Sequence, residues 1–334
     1  MDKFRLTRLV IKPTLKCTAN CSSCESRRSL HKSLQHEQTL TFDEWARVLE
    51  NAARLGVQRL DISGGEPTLY RQLPGLVELG KSFHWHVNIN TNGTLIKSGN
   101  AKSLLDAGLN SAYVSLYGST PQLHDAMRHQ KGLWDRATNA VRLFSSLGTD
   151  YENFSVKTQA LICRLNFKEI PKLIKLSYQL GAKEIAISYL EGDFSGKLQL
   201  LSEDIDSFRR DVIPDCLAVI STLPLGAQEK NKAMEDICRL FSDSLSTKQW
   251  ASSIYRPDEE KKCDRPQWFS IILANGDVHP CNMVEYVHAP IMGNVKNCSL
   301  GDVWNGRLFE SFREKLFSCC KRCPINLYTV IPLC

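Results

Sequence analysis

The sequence predicts an α/β protein: an incomplete βα barrel of six parallel strands, followed by a small cysteine-rich unit. Three observations lead there. From residue 7 to 190, short apolar runs alternate with helix-length amphipathic segments; such alternation implies parallel strands joined by right-handed crossovers. The apolar runs are too few for a closed eight-stranded barrel of ~250 residues. Beyond residue 262 the pattern gives way to closely spaced cysteines.

In chain order, strands are expected at 8–13, 59–63, 86–91, 111–117, 154–162 and 184–190, and helices at 42–54, 71–82, 98–107, 133–147 and 167–180. Leu55-Gly56-Val57 and Ala107-Gly108-Leu109 fit helix C-termini, where Gly takes the left-handed conformation. Successive strand side chains point to opposite faces. The apolar set is Leu60, Ile62, Val87, Ile89, Val114, Leu116, Val156, Ile185 and Ile187, and should meet the helices. The other set is Asp61, Ser63, Asn88, Asn90, Tyr113, Ser115, Lys157, Gln159 and Ser188. A lumen lined this way is polar and suits a hydrogen-bonding substrate. In such folds function sits at the C-terminal ends of the strands.

Residues 192–262 break the alternation. Asp193-Phe-Ser-Gly196 opens a linker, and two amphipathic helices follow. The first, about 203–221, is expected to be interrupted at Pro214. The second, about 229–243, carries Met234, Ile237, Cys238 and Phe241 at helical spacing, a core stripe. The expected division is therefore 1–191 for the barrel, 192–262 for a helical linker and 263–334 for the cysteine-rich unit.

Composition narrows the function. A chain of 334 residues with 43% hydrophobic content can bury a large core. A net charge of +6 without a long Lys/Arg run does not favour nucleic acid. The N-terminus, Met1-Asp-Lys-Phe-Arg-Leu-Thr-Arg, lacks the apolar core of a signal peptide. No window approaches the ~18 apolar residues of a membrane helix. The expectation is a cytoplasmic protein. Thirteen cysteines in such a chain point to metal or redox chemistry and not to a disulfide framework.

Two motifs carry that chemistry. Cys17-Thr-Ala-Asn-Cys21-Ser-Ser-Cys24 follows the first strand. Three thiolates at this spacing can hold three irons of a [4Fe–4S] cluster, whose fourth iron then stays open for another ligand. A zinc site or three incidental thiols is the plainer alternative. Ile62-Ser63-Gly64-Gly65-Glu66-Pro67 ends the second strand. Adjacent glycines permit close backbone approach, and the carboxylate beside them can hold an ammonium group. A Gly-Gly-Glu-Pro run alone also fits any strand-ending turn.

In this order, each after a strand, the two motifs resemble the radical S-adenosylmethionine (SAM) superfamily. The resemblance implies a (β/α)6 TIM-like barrel. It implies that the open iron chelates the amine and carboxylate of SAM, and that the turn of Gly64, Gly65 and Glu66 contacts the methionine amine. Ser23 stands where the family motif usually has an aromatic residue near the adenine. Asn90, Ser115, Arg128 and Gln159 match positions that contact SAM in related enzymes.

Near the C-terminus, Asn275-Gly276 between β-prone runs signals a hairpin that returns Cys281 towards Cys263. A helical stretch from Ser299 to Phe317 leads to Cys319-Cys320-Lys-Arg-Cys323. Four such thiolates would close a second cluster or a zinc site. The segment resembles the SPASM/twitch extension of radical SAM enzymes. The matching features are Cys263, Gly276-x4-Cys281, Gly293-Asn294, Ser299-Leu300 with Val303-Trp304-Asn305, and Cys320-x2-Cys323. Thr329 and Leu333 stand where the full SPASM form has further cysteines. The resemblance thus implies the shorter twitch form, with one auxiliary [4Fe–4S] cluster on Cys263, Cys281, Cys320 and Cys323, Cys319 being an alternative ligand.

By the same resemblance, the reduced first cluster cleaves SAM to a 5′-deoxyadenosyl radical that abstracts hydrogen from substrate. An external donor such as flavodoxin or ferredoxin supplies electrons. The first expectation is oxidation or epimerisation of a polar small molecule, a sugar or aminocyclitol. Lys157, His124 and Glu191 are candidate bases, and Cys163 or Cys238 a candidate hydrogen donor; Cys216, Cys298 and Cys319 are further spare thiols. The second expectation is a ribosomal-peptide maturase, epimerising or cross-linking a short peptide. Such enzymes often carry a leader-binding domain ahead of the barrel, and only sixteen residues precede Cys17. The third is a non-enzymatic iron–sulfur or zinc protein.

Overall fold

The computed structural model describes residues 4–24, 39–190, 198–243, 246–251, 264–281, 290–314 and 328–333. Six strands run parallel in sequential order: β1 (Arg8–Ile11), β2 (Arg59–Ile62), β3 (His86–Thr91), β4 (Ser111–Ser115), β5 (Ser155–Ile162) and β6 (Glu184–Tyr189). The crossovers carry α1 (Phe42–Arg54), α2 (Leu73–Ser82), α3 (Ser98–Asp106), α4 (Pro121–Arg128), α5 (Leu133–Gly148) and α6 (Ile170–Gln179). The first helix shows how local sequence sets a boundary. Thr41 and Glu44 form a reciprocal capping box, Thr41 N–H donating to the Glu44 carboxylate at 2.7 Å.

Only α4 lies outside the sequence expectation. Its signal is short: Thr120 caps the helix, Pro121 occupies its first turn, and His129 ends it in the left-handed region at φ 46°.

The sheet faces divide as the alternation demands. Leu60, Ile62, Val87, Ile89, Val114, Leu116, Ile185 and Ile187 are fully buried, and Val156 nearly so, in one continuous core with the helices. Asp61, Ser63, Asn90, Tyr113, Ser115, Gln159 and Ser188 line a cavity of about 400 Å³ inside the curl of the sheet. Asn88 and Lys157 do not line it. Asn88 donates to Asp61 at 2.8 Å, and Lys157 pairs with Glu184 at 2.7 Å.

The sheet continues beyond these six strands. β7 (Phe269–Ile272) pairs in parallel with β1, and β8 (Asp277–His279) and β9 (Gly293–Asn294) follow antiparallel. β10 (Tyr328–Pro332), which is not among the strands expected from sequence, pairs antiparallel with β6. Both edges of the six-stranded half are thereby covered, which removes the unpaired edge groups a partial barrel would otherwise expose. The Asn275-Gly276 hairpin forms with a four-residue loop. Gly276 takes φ 94°, and Leu273 N–H donates to the Asp277 carbonyl at 2.9 Å.

The expected break at Pro214 does not occur. α7 (Ser202–Ser207) continues through a π-helical turn, Phe208–Val212, into α8 (Ile213–Thr222). Proline lacks an N–H, and its ring crowds the carbonyl four residues back. A widened turn relieves both and lets the helix run on. With α9 (Ala227–Cys238) and α10 (Thr247–Ala251), this segment packs on α6 and β10, outside the sheet. Its centre is the aromatic cluster of Tyr189, Phe208, Phe241 and Trp250. In the expected stripe, Ile237 and Phe241 are buried whereas Cys238 is exposed.

The expected helix from Ser299 breaks at Asn305-Gly306 into α11 (Leu300–Trp304) and α12 (Arg307–Glu314). Trp304 anchors both. It is fully buried, its indole N–H donates to the Phe4 carbonyl at 3.3 Å, and the Arg313 guanidinium lies 4.1 Å above its ring. Trp304→Ala is expected to cost about 3–5 kcal/mol, the usual loss for a buried Trp, read as a lower denaturant midpoint with an unchanged slope.

Candidate active site

The site begins with a backbone seam. Past β1 the chain crosses the C-terminal ends of the strands, and the turn after β2 bonds to it. Ser63 N–H donates to the Ile11 carbonyl (2.9 Å), Gly65 to Thr14 (2.9 Å) and Glu66 to Lys16 (2.7 Å). The contact is too close for side chains. A Cβ on Gly64, whose φ is 131°, would stand 2.3 Å from the Thr14 carbonyl oxygen. One on Gly65 would stand 2.2 Å from that of Lys16. The paired glycines therefore serve first to lay this turn against the segment entering Cys17.

Glu66 departs from the expectation that its side chain holds an ammonium group. It is fully buried and does not line the cavity. Its carboxylate accepts from Thr68 N–H (3.2 Å), Thr68 Oγ1 (2.7 Å), Thr91 Oγ1 (2.7 Å) and Asn92 N–H (2.7 Å). Four donors saturate it, so it ties the turn to the end of β3. Asn92 carries the tie onward: its amide donates to Thr18 Oγ1 at 2.9 Å and to Cys17 Sγ at 3.7 Å.

The far side of the cysteine loop rests on the C-terminus of α4. Asn20 and Ser22 N–H groups donate to the carbonyls of Arg128 (3.0 Å) and Met127 (3.1 Å), and Ser22 Oγ meets His129 Nε2 at 2.7 Å. These end-of-helix carbonyls have no partner within the helix. Arg128 is 6% exposed, lines the cavity, and lies 4.6 Å above the Tyr117 ring. Its Nε is buried without a protein partner. A buried guanidinium donor facing three thiols is what an anionic guest would satisfy.

Cys17, Cys21 and Cys24 line the same cavity. Burial raises the Cys17 and Cys21 thiols, against which the Ala19 N–H and Arg128 respectively work. Thiols so placed deprotonate when a metal supplies the compensating charge. Among the described residues, no three of His, Cys, Asp and Glu converge on one point as a single ion would need. Three thiols lining one cavity are a donor set that a cluster can take, each on a separate iron.

Asn90, Ser115, Arg128 and Gln159 all line the cavity with the three cysteines, Gly64 and Gly65. Sequence reasoning missed Lys12, which is 8% exposed and lines it too; burial lowers its ammonium to about 8, opposed by the nearby Cys24. Its position two residues past Val10 on the lumen face was the available signal.

Other candidates stand apart. Cys163 is buried behind the lining against Met127, Leu190 and Leu198, and burial pushes its thiol up to about 11. Cys238 is exposed on α9 and away from the cavity, because its helix turns Ile237 inward instead. Cys216 is buried in α8 and Cys298 is exposed. Lys157 is held by Glu184, and fully buried His124 accepts the Tyr117 N–H on Nδ1 at 3.1 Å. Of the auxiliary set, Cys281 packs beside Val10, Phe269, Ile271 and Leu273. Cys263, Cys319, Cys320, Cys323 and the candidate base Glu191 lie outside the described residues.

The family model "Radical SAM superfamily" matches residues 11–177 and the model "Iron-sulfur cluster-binding domain", SPASM, matches 263–324. The chain belongs to the radical SAM superfamily and is a radical SAM enzyme with a SPASM domain. Its cofactors are SAM, a [4Fe–4S] cluster in the barrel and auxiliary iron–sulfur in the C-terminal domain. The PqqA peptide cyclase of Gluconobacter oxydans is 26% identical over 308 residues, covering 91% of this chain and 78% of that protein. That of Rhizobium meliloti is 26% identical over 304 residues, 90% of this chain and 74% of its own. Streptococcus suis SuiB bound to precursor peptide SuiA superposes with TM-score 0.68 at 20% identity, covering 96% of this chain and 70% of that one. For anSMEcpe with bound AdoMet, the TM-score is 0.64 at 17% identity, over 95% and 83%. No helix among the described residues is long and apolar enough to cross a membrane.

Two outcomes follow for the seam and its support. Gly65→Ala should cut the iron content of anaerobically purified protein several-fold, since backbone carbonyls cannot retreat. Gly99→Ala, in α3 with nothing within 4 Å, should leave iron unchanged and add up to ~1 kcal/mol of stability.

His124 gives a pH test. Burial, then Arg128, lowers it from 6.5 to about 3. Below pH 6.5 the unfolded chain takes up a proton that the folded chain refuses. Its contribution is therefore present above 6.5 and lost as pH falls towards 3, by up to ~1.4 kcal/mol per unit. Urea unfolding of wild type and His124→Gln between pH 5 and 7.5 should show the shallower slope in the variant.

Proposed function

We propose that the chain is a peptide maturase: it removes hydrogen from a residue of a precursor peptide and leaves a new intramolecular bond. The observation that carries this reading is the match to PqqA peptide cyclases along nine-tenths of the chain. It reverses the order expected from sequence, where a polar small molecule came first, because the relatives matched along nine-tenths of the chain name a peptide. The count of residues ahead of Cys17 is no guide to the substrate.

The roles of individual residues are part of the proposal. When bound, SAM and its cluster supply a hydrogen-abstracting 5′-deoxyadenosyl radical, and auxiliary iron–sulfur supplies an electron acceptor. Cys17, Cys21 and Cys24 hold the first cluster, with Asn92 and the Ala19 N–H donating to Cys17 Sγ. The turn at Gly64 and Gly65, with Asn90, Ser115, Arg128 and Gln159, surrounds SAM. Cys281, with Cys263, Cys320 and Cys323, holds the auxiliary site. Tyr117, Leu161, Tyr189 and Leu190 line the cavity with ring and alkyl groups that keep water from the reacting centre. Making one bond by this route removes two hydrogens from the peptide, one as an atom and one as a proton with its electron passed on.

The test is anaerobic incubation of the reconstituted chain with SAM, reductant and candidate precursor peptides. A peptide lighter by two hydrogens, formed with stoichiometric 5′-deoxyadenosine, is expected. Cys163→Ala should still form it, and Cys17→Ala should not. Product of unchanged mass that carries solvent deuterium would replace cyclisation by epimerisation. Productive turnover of sugars or aminocyclitols alone would overturn the peptide reading.

A further inference from the structure

SAM brings a flat purine into this cavity, and a purine packs on aromatic or apolar surface. The cysteine loop offers it no ring: Ser22 and Ser23 precede Cys24, and Ser23 lines the cavity with a hydroxymethyl group. Five rings line the cavity among the described residues, those of Tyr113, Tyr117, Tyr189, Trp268 and Phe269. Four of them have other places. Phe269 pairs in register with Arg8, and the Trp268 carbonyl accepts the Thr7 and Arg8 N–H groups. Both therefore stand where β1 begins, at the end away from the cysteines. Tyr113 lies against Arg59 at that same end, with the Lys157 ammonium 5.3 Å from its ring. Tyr189 is held outside the sheet. Its hydroxyl accepts the Phe241 N–H at 3.1 Å, and its ring stacks on Trp250 with centroids 5.0 Å apart.

Tyr117 is the ring left at the cysteine end. Ser115 and Gln159 pair in register on β4 and β5. Two residues on, Tyr117 and Leu161 keep the same lumen face, one layer nearer the thiols. Burial raises the Tyr117 phenol, which bonds with Ser115 and lies within electrostatic reach of Cys21 and Cys24. Both backbone groups of this residue are pinned. Its N–H donates to His124 Nδ1 at 3.1 Å, and its carbonyl accepts from the Asn166 amide at 2.9 Å. Asn166 is 1% exposed and donates also to the Leu161 carbonyl at 2.6 Å, so one buried amide ties the ring to the leucine. Arg128 lies 4.6 Å above the ring, and Tyr117, Leu161 and Leu190 share one apolar cluster. All three of these residues line the cavity.

We propose that Tyr117 is the residue on which the adenine of SAM stacks, with Leu161 and Leu190 completing an apolar slot. The end of β4 thereby supplies the ring that the cysteine loop lacks. The inference makes no use of the peptide reading; it rests on SAM occupying this cavity. A ring already fixed at its backbone, face and hydroxyl loses little freedom when a base packs on it, so most of the stacking energy appears as affinity.

Equilibrium dialysis of SAM and of decarboxylated SAM against the anaerobically reconstituted full chain, without reductant, tests this. The second nucleotide lacks the carboxylate that Arg128 could bind, so it isolates the base. Tyr117→Leu should bind both about fivefold more weakly than wild type, at unchanged iron content. Tyr117→Phe keeps the ring and should bind both within about twofold of wild type. Unchanged affinity in Tyr117→Leu overturns the stacking. Weakening of SAM alone also overturns it, because Tyr117 would then act through Arg128. Should Tyr117→Leu fail to load iron, Tyr117→Phe decides: a loss beyond about threefold gives the contact to the hydroxyl and overturns the stacking. Wild type that binds neither nucleotide overturns the placement of SAM itself.

Discussion

Everything at the cofactor end depends on one close approach of two backbones. The segment entering Cys17 and the turn after β2 share hydrogen bonds from Ser63, Gly65 and Glu66. That seam closes only where neither glycine carries a Cβ. Neighbouring parallel strands emerge side by side, so their following loops are adjacent by construction. The glycines convert adjacency into contact. A cluster ligand loop needs such support, because three short-spaced thiols on a free loop would pay the full ordering entropy on each binding event.

Support from the other side is chemically different. The end of α4 offers carbonyls that its own turn cannot satisfy, and the loop offers N–H groups that a strand would have used. Each half completes the other. The same helix end delivers Arg128, so the element that holds the loop also sets positive charge beside its thiols. Glu66 and Asn92 then link loop, turn and β3 through buried polar groups, leaving few ways for one to shift alone.

Much of this was legible in the sequence, for physical reasons that also explain what was not. The lumen face could be read because strand side chains alternate with a fixed period. Asp61, Asn90, Tyr113, Ser115 and Gln159 fell on it from sequence alone. The glycine turn was legible as a place of close approach, but not which partner approached. Glu66 reads as a ligand until the four donors around its carboxylate are seen. β10 was overlooked although Tyr328-Thr-Val-Ile331 are strand-forming residues; its place beside β6 depends on pairing that sequence does not show. Pro214 misled because the rule for proline concerns the ideal helix, and a π turn lies outside that rule.

The lumen thus has two charged ends with different logic. At the cysteine end, Lys12 and Arg128 face thiols that lose protons only on binding metal, so charge there is balanced by assembly. At the floor, Arg8 and Arg59 share the one carboxylate of Asp61. A buried ion bracket is weak evidence for stability, since apolar packing can replace it at little loss. The β7 hairpin closes the β1 edge with Phe269 and Ile271, and Cys281 packs with them and Val10.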